Sequence, residues 1–257
     1  MINFTSKDRY SFEDLVRLVT LLRAPGGCPW DGAQTHLSIR RNFLEEAYEA
    51  CEGFDTDDAG RMCEELGDVL LQVLFHTDIE REAGRFTLDD VCDGVCKKLV
   101  FRHPRLFGND STPDWDELKR LEKGQQTDTD TLNGVSRSLP ALWRCEKILK
   151  KAAGSGADRE SLSDSLDKLD RESASLRRTA ACGADAQQAL GELLLAAVHA
   201  AAILQIDPEQ ALHDACERFI GRFSQLEQSS AQSGRPLAEQ PREALSPLWN
   251  DTADDSL

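Results

Sequence analysis

Apolar residues recur at helical spacing along most of the 257-residue chain. Ser11 is placed to cap a helix carrying Leu15, Leu18, Val19 and Leu22, with Asp14 at the third position of its first turn. The pattern breaks at APGGCPW, where Pro25, Gly26, Gly27 and Pro29 forbid continuation. A second helix is predicted from Leu37 to Glu52, with Phe43, Leu44, Ala47, Tyr48 and Cys51 as its apolar stripe and Gly53 as its stop. A third, from Asp58 to Ala83, carries Met62, Leu66, Val69, Leu70, Val73 and Leu74 and ends at Gly84. Thr87 caps a fourth, which turns Leu88, Val91, Val95 and Leu99 inward and stops before Pro104. No segment alternates with period two between turn signals, so the predicted class is all-α.

Residues 108–138 are polar and rich in Asp, Thr and Gly, with one short helical piece from Trp115 to Leu121, and read as a connection between domains. Beyond it, SLPALWRCEKILKKAA forms a new helix and GSGADRES a break. Helices follow near Leu162–Arg178, Ala186–Leu204 and Pro208–Gln228, and the tail after Ser229 reads as loop. EELGDVLLQVLFH and QALGELLLAAVHA resemble one another at an offset of 124 residues, set by Gly67 and Gly191. KKLVFR (97–102) and CERFIGRF (216–223) repeat the likeness further on. The expected organisation is a tandem pair of four-helix units, residues 1–125 and 126–257, the second ending in an acidic tail.

Charge narrows the function. The formal net charge is -16, and nine of those surplus negative charges fall between Glu45 and Asp68. Counterion-release binding to a nucleic-acid polymer and docking on an anionic membrane are both disfavoured. No apolar run reaches the roughly 18–20 residues that span a bilayer, and MINFTSKDRYSFEDL has no apolar leader core, so the expected compartment is the cytoplasm. Eight cysteines are scattered without a CxxC pair, and read as small buried thiols. Cys92 and Cys96 share a helical face, but two thiols do not make a metal site.

The acids themselves are patterned. Glu45, Glu46 and Glu49 lie on the second helix, and Glu64, Glu65 and Asp68 on the third. Glu46 with Glu49, and Glu65 with Asp68, are three apart and project from one side of their helices, at the border of the apolar stripe. If the two helices pack antiparallel, four carboxylates converge and raise one another's pKa values. Such all-oxygen, charge-rich coordination suits Mg²⁺, with Mn²⁺ as an alternative. The bland alternative is a solvated acidic face. Gly67 weighs against it, because a glycine inside a helix costs roughly 1 kcal/mol and makes sense where another helix or a ligand approaches closely. Cations to meet a phosphate follow at Lys98 and Arg102, with Lys97, Arg105 and Lys119 nearby in sequence; equally, they complement a helix C-terminus. Trp115 suits base stacking or burial, His76 reads as a core histidine, and His103 as a phosphate contact or a helix terminator.

LRAPGGCPWD, QT (34–35), FLEEAYEA, EELGDVLLQVLFH, GRFTLDDV, KLVFRHPRLFG and SLPALWRCEKILKKAA together resemble the MazG nucleoside triphosphate pyrophosphohydrolases over nearly all of residues 10–153. The resemblance implies an all-α, usually dimeric fold whose acidic helices bind Mg²⁺. It also implies hydrolysis of the α–β bond of nucleoside triphosphates to monophosphate and pyrophosphate. Glu46, Glu49, Glu65 and Asp68 match the metal ligands, and Glu45 an accompanying acid that orients or deprotonates the attacking water. Lys98 and Arg102 match triphosphate-binding positions and Trp115 an aromatic near the base; Trp30 and Lys119 complete the expected substrate contacts.

The second half departs from that pattern. Where the family repeats its acidic motif, this chain has RESAS (171–175) and ALGE (189–192), so that only Glu172 and Glu192 remain. The expectation is a degenerate C-terminal unit and a catalytic N-terminal one, acting on nucleoside triphosphates in nucleotide-pool surveillance as a homodimer, without nucleic-acid or membrane partners. Two alternatives stay open: a narrower pyrophosphatase for dUTP or phosphoribosyl-ATP, and a non-catalytic nucleotide- or metal-binding regulatory module.

Overall fold

The computed structural model describes residues 3–107, 115–157, 160–241 and 245–246, and of residues 115–117 the backbone alone. Among the described residues every regular element is helical. Two compact units form, Met1–Leu118 and Lys119–Leu257.

The first unit is set by its helix starts. α1 (Phe12–Arg23) opens on a reciprocal capping box, in which Ser11 Oγ accepts from Asp14 N and Asp14 accepts from Ser11 N. It ends at the proline-glycine turn that the sequence predicts, which leads into the short α2 (Pro29–Gly32). Gly27 is required there. A Cβ at this position would lie 2.3 Å from the carbonyl oxygens of Leu21 and Leu22, both backbone atoms that cannot swing aside. Gly27→Ala is therefore expected to lower stability by about 2 kcal/mol or more, read as a fall in Tm. A Tm equal to the wild type would contradict this packing.

α3 (Arg40–Asp55) and α4 (Ala59–Glu82) follow as an antiparallel hairpin, the most extensive helix pair of this unit. α3 begins three residues later than the pattern predicts, because Gln34 to Ser38 form their own turn. There Thr35 N donates to Ser38 Oγ (2.9 Å) and Ser38 N to Thr35 Oγ1 (3.2 Å). At the closed end of the hairpin, Asp58 caps α4 by accepting from Gly60 N and Arg61 N. Gly53 lets α3 close on α4, where its Cβ would stand 3.2 Å from Met62 N. α5 (Leu88–Arg102) opens on a second capping box, made by Thr87 and Asp90.

The core is small. Val19 of α1, Ile39 before α3, and Leu74 and Phe75 of α4 are buried, with Leu15, Val16, Leu71, Ile79 and Leu88 packed around them. Burying each such side chain contributes roughly 1.5–3 kcal/mol. Beside the core lies a buried ionic joint. Arg23, at the end of α1, reaches Glu82 with Nη2 (2.8 Å), the Asp31 carbonyl with Nη1 (2.8 Å), and stands 3.4 Å from Asp78.

Three sequence expectations are corrected here. Val91, Val95 and Leu99 do not turn inward: Leu88, at the start of α5, packs on the core, whereas all three are exposed. None of the cysteines is buried. Cys28 and Cys145 are half-exposed and the other six are exposed, since their helices turn those faces away from so small a core. Leu44, Tyr48, Cys51 and Leu66, assigned to the stripes of the second and third helices, are exposed as well.

The second unit contains α7 (Asp128–Asn133), α8 (Ala141–Gly154), α9 (Leu162–Ala181), α10 (Gln187–Ile203) and α11 (Pro208–Ser233); α6 (Trp115–Glu122) leads into it. α7 falls in the stretch read as a connection, and its capping box of Thr127 and Asp130 explains why it forms. α11 runs past Ser229 to a left-handed Gly234, and a short 3-10 turn, Leu237–Glu239, follows. α9 and α10 make the most extensive pair, with Ala196, Val198, Ala200 and Ser165 buried at or near their contact. Ser165 Oγ and His199 Nδ1 are 3.1 Å apart, which satisfies two polar groups at this seam. No single helix among the described residues is long and apolar enough to cross a membrane.

Candidate active site

The acids of α3 and α4 meet across the hairpin. Glu46, Glu49 and Glu65, all half-buried, each present one carboxylate oxygen, and the three oxygens lie within 4.8 Å of one another. The antiparallel register, fixed at Gly53 and Met62, brings residues so far apart in sequence to one level. Asp68 is half-buried one turn further along α4, and its charge raises the pKa values of both Glu46 and Glu65. Glu45 and Glu64 are exposed at the rim.

The electrostatics are those of an unneutralised cluster. Burial is the first cause that raises Glu46, and the carboxylates of Asp68, Glu49, Glu65 and Glu45 follow. Glu65 is also raised, first by burial, then by Glu49 and Glu64, against a smaller opposing pull from Arg61. Arg61 is the flanking cation that sequence reasoning passed over. Its Nη2 lies 2.6 Å from Glu52 and its Nε 3.9 Å from Glu65, so one guanidinium faces several acids. The spacing of Arg61 and Glu65, four apart on a helix, is the signal that was there to read.

Three or four hard anionic oxygens without sulfur or nitrogen fit a divalent cation of the Mg²⁺ or Mn²⁺ type, and mutual repulsion supplies the reason to take one up. A pH dependence follows. Because Glu46 and Glu65 hold their protons above the ordinary carboxylate range, the metal-free folded chain loses stability as pH rises through that range. A bound cation cancels that loss. The gain in Tm on adding Mn²⁺ is thus expected to grow as pH rises from the ordinary carboxylate range towards neutrality, and a gain independent of pH would contradict the assignment.

The remaining predicted residues are spread more widely. Lys98 is exposed and Arg102 half-buried on α5, while Lys97 is tied to Asp93 (2.5 Å). His103 terminates α5, its Nδ1 2.7 Å from the Leu99 carbonyl oxygen. Trp30, on α2, is 60% exposed. Lys119 is half-buried at the start of the second unit, and the side chain of Trp115 lies outside the described residues. Gly67 differs from expectation: a Cβ there would meet nothing within 4 Å, so no close approach from within the chain calls for a glycine.

His76 is tied into a network that the sequence did not disclose. Its Nδ1 lies 2.7 Å from Nδ1 of His36, whose Nε2 bonds Glu80, and Phe43 packs edge-on against its ring. Arg85 Nη2 reaches Glu80 at 2.6 Å and, with His36, holds that carboxyl down to about 2. In the second unit, Glu172, Asp185 and Glu192 line a cleft of about 350 Å³ with Ser175, Thr179 and Gln188. Asp185 had no place in the sequence reading.

The first unit is thus all-helical among its described residues, with an antiparallel hairpin that gathers carboxylates at its seam. The profile of the MazG nucleotide pyrophosphohydrolase domain matches residues 34–107, which span the whole hairpin and α5. The chain is 36% identical over 241 residues to the nucleoside triphosphate pyrophosphohydrolase/pyrophosphatase MazG of Thermotoga maritima, covering 93% of this chain and 94% of that one. It is 34% identical over 247 residues to the nucleoside triphosphate pyrophosphohydrolase of Escherichia coli K12, covering 91% and 94%. A nucleoside triphosphate pyrophosphohydrolase of Mycolicibacterium smegmatis is 37% identical over 161 residues, 60% of this chain and 49% of that one. The chain belongs to the MazG family, and is an enzyme of its pyrophosphohydrolase kind.

Proposed function

We propose that the protein hydrolyses nucleoside triphosphates between the α- and β-phosphates, with Mg²⁺ held by Glu46, Glu49, Glu65 and Asp68. The convergence of three half-buried carboxylates across the hairpin carries this reading. A divalent cation bound there supplies charge neutralisation to the triphosphate. Glu45, exposed beside the cluster, orients the attacking water and takes its proton. The water oxygen bonds to the α-phosphorus, the bridging bond to the β-phosphate breaks, and its electron pair leaves with pyrophosphate. Lys98 and Arg102 offset phosphate charge, and Trp30 completes the substrate contacts.

Two further parts belong to the same reading. Exposed Leu44, Tyr48 and Leu66 on the hairpin, with Val91, Val95 and Leu99 on α5, support assembly with a second copy of the chain. The second unit acts as a degenerate scaffold derived from the same four-helix plan, and the role is surveillance of the cytoplasmic nucleotide pool.

Incubation with a panel of nucleoside triphosphates and Mg²⁺, followed by product identification, tests the reaction. Monophosphate and pyrophosphate are expected; diphosphate with orthophosphate, or no turnover of any substrate, would overturn it. Glu192→Gln, in the cleft of the second unit, is expected to leave turnover within about twofold of wild type. A collapse would instead assign chemistry to that unit.

A further inference from the structure

The hairpin that assembles the acids has two ends. Its closed end is fixed by the Asp58 cap and by the fit of Gly53 against Met62. Its open end, where the lead into α3 meets the last third of α4, is closed by His36 and His76. Their rings are parallel within 2°, with centroids 5.0 Å apart and Nδ1 atoms 2.7 Å apart. Those values put both nitrogens on the line between the ring centres, so the rings meet edge to edge through a single N–H···N hydrogen bond. Glu80 is ionised and only accepts, so His36 Nε2 carries its hydrogen. In the neutral pair His36 Nδ1 must then accept, and His76 Nδ1 donates.

This contact opposes a definite load. Between it and the closed end lie Glu46, Glu49, Glu65 and Asp68, whose mutual repulsion pushes α3 away from α4. Phe43, one turn before Glu46, rests edge-on against His76 with ring centroids 5.7 Å apart, and so links the contact to the acid-bearing turn of α3. The reciprocal bonds of Thr35 and Ser38 hold His36 in place, and Arg85 holds Glu80 behind it. We infer that His36 and His76 are positioning residues for the acid cluster: an imidazole clasp that keeps α3 and α4 at the spacing a divalent cation needs.

The inference rests on the cluster's reading as a cation site, and it fixes the proton chemistry of the clasp. One added proton is accommodated, because a single hydrogen still lies between the two Nδ1 atoms. Two are not, because both Nδ1 atoms would then carry hydrogens at 2.7 Å. The charged groups around the pair are Glu80 and Arg85 on its α4 side, and the α1 side of α4 presents Arg23 to Asp78 and Glu82. Burial, and then His36, lower the affinity of His76 for a proton, in the same sense.

The test is Mn²⁺ binding by the full chain, followed by calorimetry or by the relaxation of solvent water near pH 7.5. His76→Ala and His36→Ala are each expected to weaken Mn²⁺ about tenfold, while turnover at saturating Mn²⁺ stays within about twofold. The paired substitution His36→Gln with His76→Gln, which restores a side-chain hydrogen bond without an ionisable ring, is expected to recover most of the affinity. Wild-type affinity in both alanine variants would overturn the clasp alone; no Mn²⁺ binding by the wild type would overturn the cation site and the clasp with it. If the alanine variants do not fold, ¹⁵N spectra of the wild-type imidazoles decide. A coupled pair, in which uptake of the first proton opposes the second, is expected, and two independent titrations would overturn the clasp.

Discussion

Glu49→Gln is expected to lower turnover by about 100-fold or more, equivalent to ~3 kcal/mol of lost transition-state stabilisation. The same substitution is expected to raise the Tm of the metal-free protein, because the Glu49 charge raises both Glu46 and Glu65. Opposite signs in the two measurements are what distinguish a site residue from a scaffold residue. A charge cluster retained against stability exists for what it binds, whereas a merely structural Glu49 would lower both quantities or neither. Turnover and melting are read on the same preparation, with and without Mg²⁺. Asp68→Asn is expected to act in the same direction, since after burial the Asp68 carboxylate does most to raise Glu46. Unchanged turnover in both variants would remove the N-terminal cluster from the chemistry.

Arg23→Ala is the substitution expected to cost most in stability. The Arg23 side chain is 2% exposed and ties α1 to two other segments: to α4 through Asp78 and Glu82, and to α2 through the Asp31 carbonyl. Removing it leaves Asp78 buried, with Thr20 (2.9 Å) and Arg81 (2.8 Å) as its remaining partners. Deleting one partner of a buried pair costs about 3 kcal/mol or more, a Tm fall of roughly 6–12 °C for a chain of this size. Asp78→Asn, which keeps the shape and removes the charge, is expected to cost less. If Arg23→Ala melts with the wild type, the joint between α1 and α4 contributes nothing measurable.

Local chemistry was legible in the sequence. The caps at Ser11 and Thr87 and the break at Gly26 and Gly27 are signals a few residues long, and each appears where it was expected. Asp58 begins the third predicted helix and proves to be its cap. What remained hidden depends on distance along the chain. The contact of His36 with His76 joins positions 40 apart, and Arg23 with Glu82 joins positions 59 apart. No short-range pattern encodes either one. The spacing of Asp68, Gln72, His76 and Glu80, four residues apiece, was nevertheless a readable polar ladder along one face of α4. The misassigned apolar stripes share another cause. Periodicity shows which face of a helix is apolar, but not whether this chain or another covers it, and Val91, Val95 and Leu99 stay exposed in the single chain. The cysteines were misjudged through a general tendency of thiols to be buried, which so small a core does not enforce.

The proposed reaction is attack of water on the α-phosphorus at the hairpin of α3 and α4. Hydrolysis of a nucleoside triphosphate with Mg²⁺ in ¹⁸O-labelled water tests it most directly, with the label located by mass spectrometry. The label is predicted in the nucleoside monophosphate, with none in pyrophosphate. Label in pyrophosphate, or in orthophosphate released beside a diphosphate, would contradict it.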